Sequence, residues 1–127
     1  MTVLDDQLGQ LRDRFGEGVI DRPLSGGTVL VTVPRVSLPE GWNKPVTSVR
    51  FVVPAGYPFA NLDCFWADAD LRLMGDRIPQ AAAVNAIPDL GEMGLWFSWH
   101  LTQGWNPSRD TLSSWMNTIN DRLRRTQ

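Results

Sequence analysis

Two residues capable of nucleophilic chemistry lie close together in the segment GLWFSWHLTQGWNPSRDTL, residues 94–112. Ser98 stands two positions before His100, the single histidine of the chain. A serine hydroxyl becomes a useful nucleophile when a base removes its proton, and an imidazole titrates near neutral pH. Residues i and i+2 of an extended segment point to the same side. The spacing therefore predicts a nucleophile with its base; the alternative is that Ser98 caps a turn and His100 packs against a tryptophan.

Two other residues bear on this chemistry. Asp110 can orient His100 as the third member of a triad, or it can cap the last helix, which is the more common role of an aspartate at a helix start. Cys64 is a rival nucleophile, but it lies in the apolar run LDCFWA. A buried cysteine behaves as a small hydrophobic residue with a raised pKa and low reactivity. The candidate catalytic residues are therefore Ser98, His100 and Asp110, and we expect Cys64 to belong to the core.

The elements that must position these residues follow from apolar spacing. Segments 28–36 and 46–54 are rich in β-branched residues and predict strands, and a third short strand is predicted in LDCFWAD. Residues 70–94 are irregular, which is typical of a long functional loop. A C-terminal helix is predicted from about residue 109, capped by Asp110 or Ser108. Four apolar residues at helical spacing predict an N-terminal helix: Leu4, Leu8, Leu11 and Phe15.

Strands in series between two terminal helices favour an α+β fold rather than a repeated βαβ unit. The expected architecture is an N-terminal helix, an antiparallel meander of about four strands, a long loop and a C-terminal helix. A chain of 127 residues is of ordinary size for one domain, so residues 1–127 are predicted to form a single domain.

Charge and composition narrow the class of partner. The net charge of −2 provides no basic field for nucleic acid or anionic lipid. No run approaches the roughly 20 apolar residues of a membrane span, and the early acidic residues argue against a signal peptide, so a cytoplasmic protein is expected. Asp63, Asp68 and Asp70 lack a recognised ligand spacing. We therefore predict no metal and no cofactor.

Two segments give the chain a resemblance to a known family. PAGYPFANLDCFW, residues 54–66, resembles the Tyr-Pro-Phe turn of ubiquitin-conjugating (E2) enzymes, with Asn61 and Leu62 in place of the usual prolines. GWNPSRDTLSSWMNTI, residues 104–119, resembles the tryptophan-proline landmark that follows the E2 active-site loop. The combination is most similar to divergent prokaryotic E2-like proteins of family E. The resemblance implies a UBC-like fold and partners of two kinds, an E1-like adenylating enzyme and a ubiquitin-like protein.

The active-site position departs from the usual E2 pattern. The resemblance places the catalytic cysteine about eight residues before Trp105, which is Phe97, with Ser98 next to it. The His-Pro-Asn motif that precedes the cysteine is absent from residues 70–95. Thioester chemistry at the usual position is therefore excluded by the sequence. The resemblance then implies that Ser98 accepts the C-terminal acyl group of a ubiquitin-like protein as an oxyester, which makes the chain a transferase.

Two other functions remain open. The missing cysteine and missing motif also suit a non-catalytic E2 variant that binds a ubiquitin-like protein or an E1 as a scaffold. An independent serine hydrolase agrees less well with the sequence, because the chain lacks a G-x-S-x-G motif.

The tryptophans are expected to divide between core and surface. Three are predicted to be core residues, from strand, helix or family position: Trp66, Trp105 and Trp115. Exposed loop tryptophans are efficient anchors for a protein partner. The other three are predicted to form such a binding surface: Trp42, Trp96 and Trp99.

Overall fold

Two α-helices and one antiparallel sheet make up the fold in a computed structural model, which describes residues 2–99 and 104–127. The α-helices of the described residues are α1, Val3–Phe15, and α2, Leu112–Arg124, and a short 3-10 helix spans Ser25–Gly27. The strands are β1, Ile20–Pro23; β2, Val29–Ser37; β3, Val46–Val53; β4, Phe65–Ala67; β5, Ala82–Ala86; and β6, Met93–Phe97. Neither described helix has the length and apolar character that a membrane crossing requires.

The sheet has the strand order β1-β2-β3-β4-β6-β5, with every neighbouring pair antiparallel. The α+β class is therefore confirmed, whereas the expected count of about four strands was too low, since the described residues contain six. Part of the irregular segment 70–94 forms β5, and Met93 and Gly94 already belong to β6. The predicted active-site loop is thus partly a hairpin at one end of the sheet.

Both helices pack on one face of the sheet and form the main core. The predicted apolar face of α1 is confirmed, because Leu8 and Leu11 are buried. In α2, Trp115 is fully buried and meets the ring of Phe51 edge-on, with centroids 6.4 Å apart. Arg14 of α1 donates to the Asn117 Oδ1 of α2 at 2.6 Å. The helices are therefore joined to the sheet by apolar burial and to each other by hydrogen bonds.

The start of α2 differs from the prediction. Its N-cap is Thr111, whose hydroxyl accepts the Ser114 N–H while the Ser114 hydroxyl accepts the Thr111 N–H. This reciprocal pair satisfies two donors that a helix start otherwise leaves unbonded. The predicted caps Asp110 and Ser108 were therefore wrong by one and three residues. The helix begins later because the segment before it forms a separate turn.

The opposite face of the sheet carries a smaller apolar cluster. Its buried members are Leu30, Trp66 and Ile87, and half-buried Cys64 and Trp96 pack against them. A hydrogen bond from the Ser25 hydroxyl to Asp89 Oδ2, 3.1 Å long, connects two loops bordering this cluster.

Candidate active site

Ser98 lies directly after β6, at the exposed end of a strand held on both sides. Phe97, the last residue of β6, is paired with Phe65 of β4 and Ala82 of β5. The Ser98 N–H donates to the Ala81 carbonyl at 2.9 Å, which continues the β5–β6 ladder by one pair. The backbone of Ser98 is therefore fixed while its side chain is exposed to solvent. Its hydroxyl has no hydrogen-bond partner within residues 2–99 and 104–127.

The rival nucleophile Cys64 lies next to Ser98 in the register of the sheet. Phe65 pairs with Phe97, and their rings stack 4.7 Å apart at an interplanar angle of 6°. Continuing this register by one residue puts Cys64 opposite Ser98. Because side chains alternate along a strand, both fall on the face of the smaller cluster, beside Trp96. Burial is the main cause that raises the pKa of the Cys64 thiol, and the nearby Asp63 carboxylate adds to it.

Trp99 lies between Ser98 and two cations of the C-terminal segment. The guanidinium groups of Arg122 and Arg125 each lie 5.4 Å from its ring centre, and Arg122 also lies 5.0 Å from the Phe97 ring. Arg122 is buried and donates to the carbonyl of Gln80 at 2.7 Å. Burial, and then the charge of Arg125, lower the pKa of Arg122. Cations over an aromatic face are attracted to its ring quadrupole, so Trp99 is fixed in place at this end of the sheet.

The three tryptophans predicted as surface anchors lie in different environments. Trp42 is buried, and its indole N–H donates to the Leu123 carbonyl at 2.7 Å. Its predicted exposure was wrong, because the loop after β2 folds against the end of α2. Trp96 and Trp99 are half-buried, so part of each ring is accessible. Of the three, only Trp96 and Trp99 can contact a partner at the surface.

Of the three tryptophans predicted as core residues, two are buried and one is half-buried. Trp66 and Trp115 are buried. Trp105 is half-buried and packs against the edge of the main core.

Asp110 is buried and bonded within its own loop. Its Oδ2 accepts the Asn106 N–H at 2.8 Å, and Arg109 approaches the same oxygen at 3.5 Å. Its Oδ1 lies 3.5 Å from the Ser114 hydroxyl. No hydrogen bond joins Asp110 to Ser98. The carboxylate therefore shapes the turn that leads into α2.

A network beneath this turn connects both landmark segments to α1. The Trp105 indole N–H donates to the Pro58 carbonyl at 2.7 Å, and the Tyr57 and Trp105 rings lie 5.6 Å apart. The Tyr57 hydroxyl donates to Gln7 Oε1, which also accepts the Leu112 N–H at 2.9 Å. The Tyr-Pro turn, α1 and the start of α2 are therefore held together by buried polar groups.

His100 lies outside the described residues, so its predicted pairing with Ser98 stays a prediction.

Two of the three aspartates that follow the Tyr-Pro turn form salt bridges with a lysine of the same chain. Lys44 Nζ is 2.8 Å from Asp68 and 3.0 Å from Asp70. Within the described part of the chain, no three histidine, cysteine or acidic side chains group together as metal ligands would.

Comparison with models of known protein families shows which family the chain belongs to. The model of the Prokaryotic E2 family E matches residues 16–126, and the chain belongs to that family. The matched region begins after α1 and includes every strand and α2. No significant match to a curated protein or to a solved structure was found.

Sequence reasoning missed two features of the site. The proximity of Cys64 and Ser98 depends on the β4–β6 register, and β6 was not predicted as a strand. The arginines over Trp99 come from the end of α2 and its C-cap, and the sequence reasoning did not indicate that Arg122 is buried there. The only sequence signal for its burial is its position four residues after Thr118 and three after Ile119, on the margin of the apolar face.

Proposed function

We propose that this chain is an E2-like acyl carrier of a ubiquitin-like conjugation pathway, with Ser98 as the acyl-bearing residue. Membership of the prokaryotic E2 family supports the general role. The observation that carries the assignment to Ser98 is its placement, with an exposed hydroxyl on a fixed backbone at the end of β6. The sequence position also agrees, because Ser98 falls about where an E2 enzyme has its cysteine.

The proposed reaction has two acyl-transfer steps. Ser98 Oγ attacks the thioester carbonyl that joins the ubiquitin-like C-terminus to an E1-like enzyme. The new C–O bond forms as the C–S bond breaks, and the serine proton passes through His100 to the leaving thiolate. An acceptor amine then attacks the oxyester, so that a C–N bond replaces the C–O bond. The proton lost by the amine returns to the Ser98 oxygen.

The other candidate residues have supporting roles in this proposal. His100 is the base for both steps. Asp110 positions the loop by accepting the Asn106 N–H, and its proposed catalytic role is to orient the imidazole of His100. Trp96 and Trp99 are the proposed contacts for the ubiquitin-like protein, since both are half-buried beside Ser98.

The proposal is tested by forming the adduct directly. The chain is mixed with the E1-like enzyme and ubiquitin-like protein of its own pathway and with ATP, and the products are analysed by intact mass and fragmentation. We expect an adduct on Ser98 that hydroxide cleaves and thiols do not. An adduct confined to another residue would refute the assignment to Ser98, while the carrier function would stand.

A non-catalytic scaffold is the second candidate function, and one observation favours it. The only thiol of the chain is half-buried with a raised pKa, so the thiolate on which E2 chemistry depends is disfavoured. A scaffold would bind the ubiquitin-like protein or the E1 without forming any adduct. Measurable binding with no mass increase in the same experiment would establish this alternative.

A further inference from the structure

The two edge strands of the sheet differ in their protection against pairing with another chain. Charges and prolines are common devices that keep an exposed edge from pairing. β1 contains Asp21, Arg22 and Pro23 within its four residues. β5 has the sequence AAVNA, with no charge and no proline; Pro79 and Pro88 lie outside the strand, and the segment 78–88 has no charged residue. β5 is therefore an exposed edge without those devices.

The hydrogen bonds of β5 with β6 show which backbone groups face outward. The Ser98 N–H bonds to the Ala81 carbonyl, and the Ile87 N–H bonds to the Glu92 carbonyl. Backbone groups of an antiparallel strand alternate between its two sides, so the odd-numbered residues of β5 face β6. The residues whose N–H and C=O groups point to the open edge are Ala82, Val84 and Ala86. No strand of the described residues pairs with that side.

Side chains near this edge form a small apolar surface. Val84 is 39% exposed and Met93, on the neighbouring strand, is 52% exposed. The register pairs Val84 with Leu95 and Met93 with Ala86, so Val84 and Met93 lie on the same face. This surface continues the helix-covered face of the sheet beyond the point where the helices shield it.

We propose that β5 pairs with β5 of a second copy of this chain, antiparallel and across a two-fold axis at Val84. In this register Val84 lies opposite Val84 of the second copy, and Ala82 lies opposite Ala86. All three outward-facing residues of one copy then meet the outward-facing residues of the other, and each pair can exchange two hydrogen bonds. The strand is self-complementary because its outward residues are spaced evenly around Val84.

Charge and shape favour a second copy as the occupant. The paired strands would bring no like charges into opposition, and the net charge of −2 gives weak repulsion between copies. Val84 and Met93 of each copy would cover the same apolar residues of the other. A five-residue strand covers much less than the roughly 1,600 Å² of a standard interface, so a reversible dimer is expected at high protein concentration.

Sedimentation velocity over a range of protein concentrations tests the pairing. We expect the wild-type mass to rise toward twice the monomer mass, and Val84→Lys to remain monomeric because two ammonium groups would oppose each other at the axis. Val46→Lys is the matched control, because Val46 is 40% exposed on β3, away from this edge. It should dimerise like the wild type. An equal mixture of Val84→Lys and Val84→Glu should recover the dimer.

Amide hydrogen exchange of the wild-type chain provides a test without substitution. The N–H groups of Val84 and Ala86 should become protected as concentration rises, whereas those of Ala83 and Asn85 are protected by β6 at every concentration. A chain that stays monomeric, a dimer that survives Val84→Lys, or a dimer without this alternating protection would each overturn the proposal. A mixture of the two charged variants that stays monomeric would also overturn it.

Discussion

Cys64 immediately precedes Phe65 and Ser98 immediately follows Phe97, so the antiparallel register of β4 and β6, continued by one pair, puts Cys64 opposite Ser98. The two side chains nevertheless differ in exposure, since Cys64 is half-buried and Ser98 is exposed. This end of the sheet therefore carries both a thiol and an exposed hydroxyl, and burial raises the pKa of the thiol.

The Cys64 thiol should react slowly with iodoacetamide in the folded protein. Burial raises its pKa, so less thiolate is present at neutral pH than for a free cysteine. The alkylation rate should rise with pH over a range above that of free cysteine, and it should become fast after denaturation. Folded protein that is alkylated as quickly as a free thiol would contradict the structural role of Cys64.

Trp42→Phe should lower the free energy of unfolding by about 1–3 kcal/mol, because the Leu123 carbonyl loses its buried donor. Urea denaturation provides the measurement. Trp66→Phe is the matched control: Trp66 is also buried, but its indole N–H has no partner among the described residues. Equal losses for both variants would show that the hydrogen bond of Trp42 contributes nothing beyond packing.

Tyr57 should ionise only at a pH well above its usual range near 10. Burial is the main cause, because it disfavours the charged phenolate. A pKa raised in the folded state stabilises the protein below the unfolded pKa, and this contribution is lost as pH rises through and beyond it. Tyr57 is the only tyrosine, so its ultraviolet absorbance reports this group alone. Ionisation near pH 10 without unfolding would argue against its burial beneath Trp105.

Thr111→Ala should destabilise the protein by about 1 kcal/mol, the usual cost of losing an N-cap side chain. Thr111 accepts the Ser114 N–H, whereas Ser108 is exposed and lies outside the helix. Ser108→Ala should therefore leave the melting temperature nearly unchanged. If Ser108→Ala lowered the stability more than Thr111→Ala, Ser108 would be the N-cap, as one of the two sequence-based alternatives predicted.

The parts of the fold that were predicted correctly have strong local patterns. Leu112, Trp115, Met116, Ile119 and Leu123 all lie on the buried face of α2, as their helical spacing indicates. The β-branched runs around residues 30 and 50 form β2 and β3. In these segments burial, propensity and periodicity favour the same structure.

The parts that were missed depend on tertiary contacts. β5 consists mainly of alanine, which has no strand preference, and it is a strand because β6 pairs with it. β1 contains two charged residues and a proline, a composition that does not predict a strand, so this edge strand was missed. Trp42 follows a glycine in a loop, and nothing local indicates that the loop folds onto α2. The His100 prediction concerns a residue outside the described structure.

The most direct test of the central claim compares Ser98→Cys, Ser98→Ala and Cys64→Ala in the adduct reaction with the E1-like enzyme, ubiquitin-like protein and ATP. If Ser98 carries the acyl group, Ser98→Ala should form no adduct and Cys64→Ala should react like the wild type. Ser98→Cys should form an adduct that is now cleaved by thiols, because a thioester replaces the oxyester. An adduct that persists in Ser98→Ala and disappears in Cys64→Ala would contradict the account.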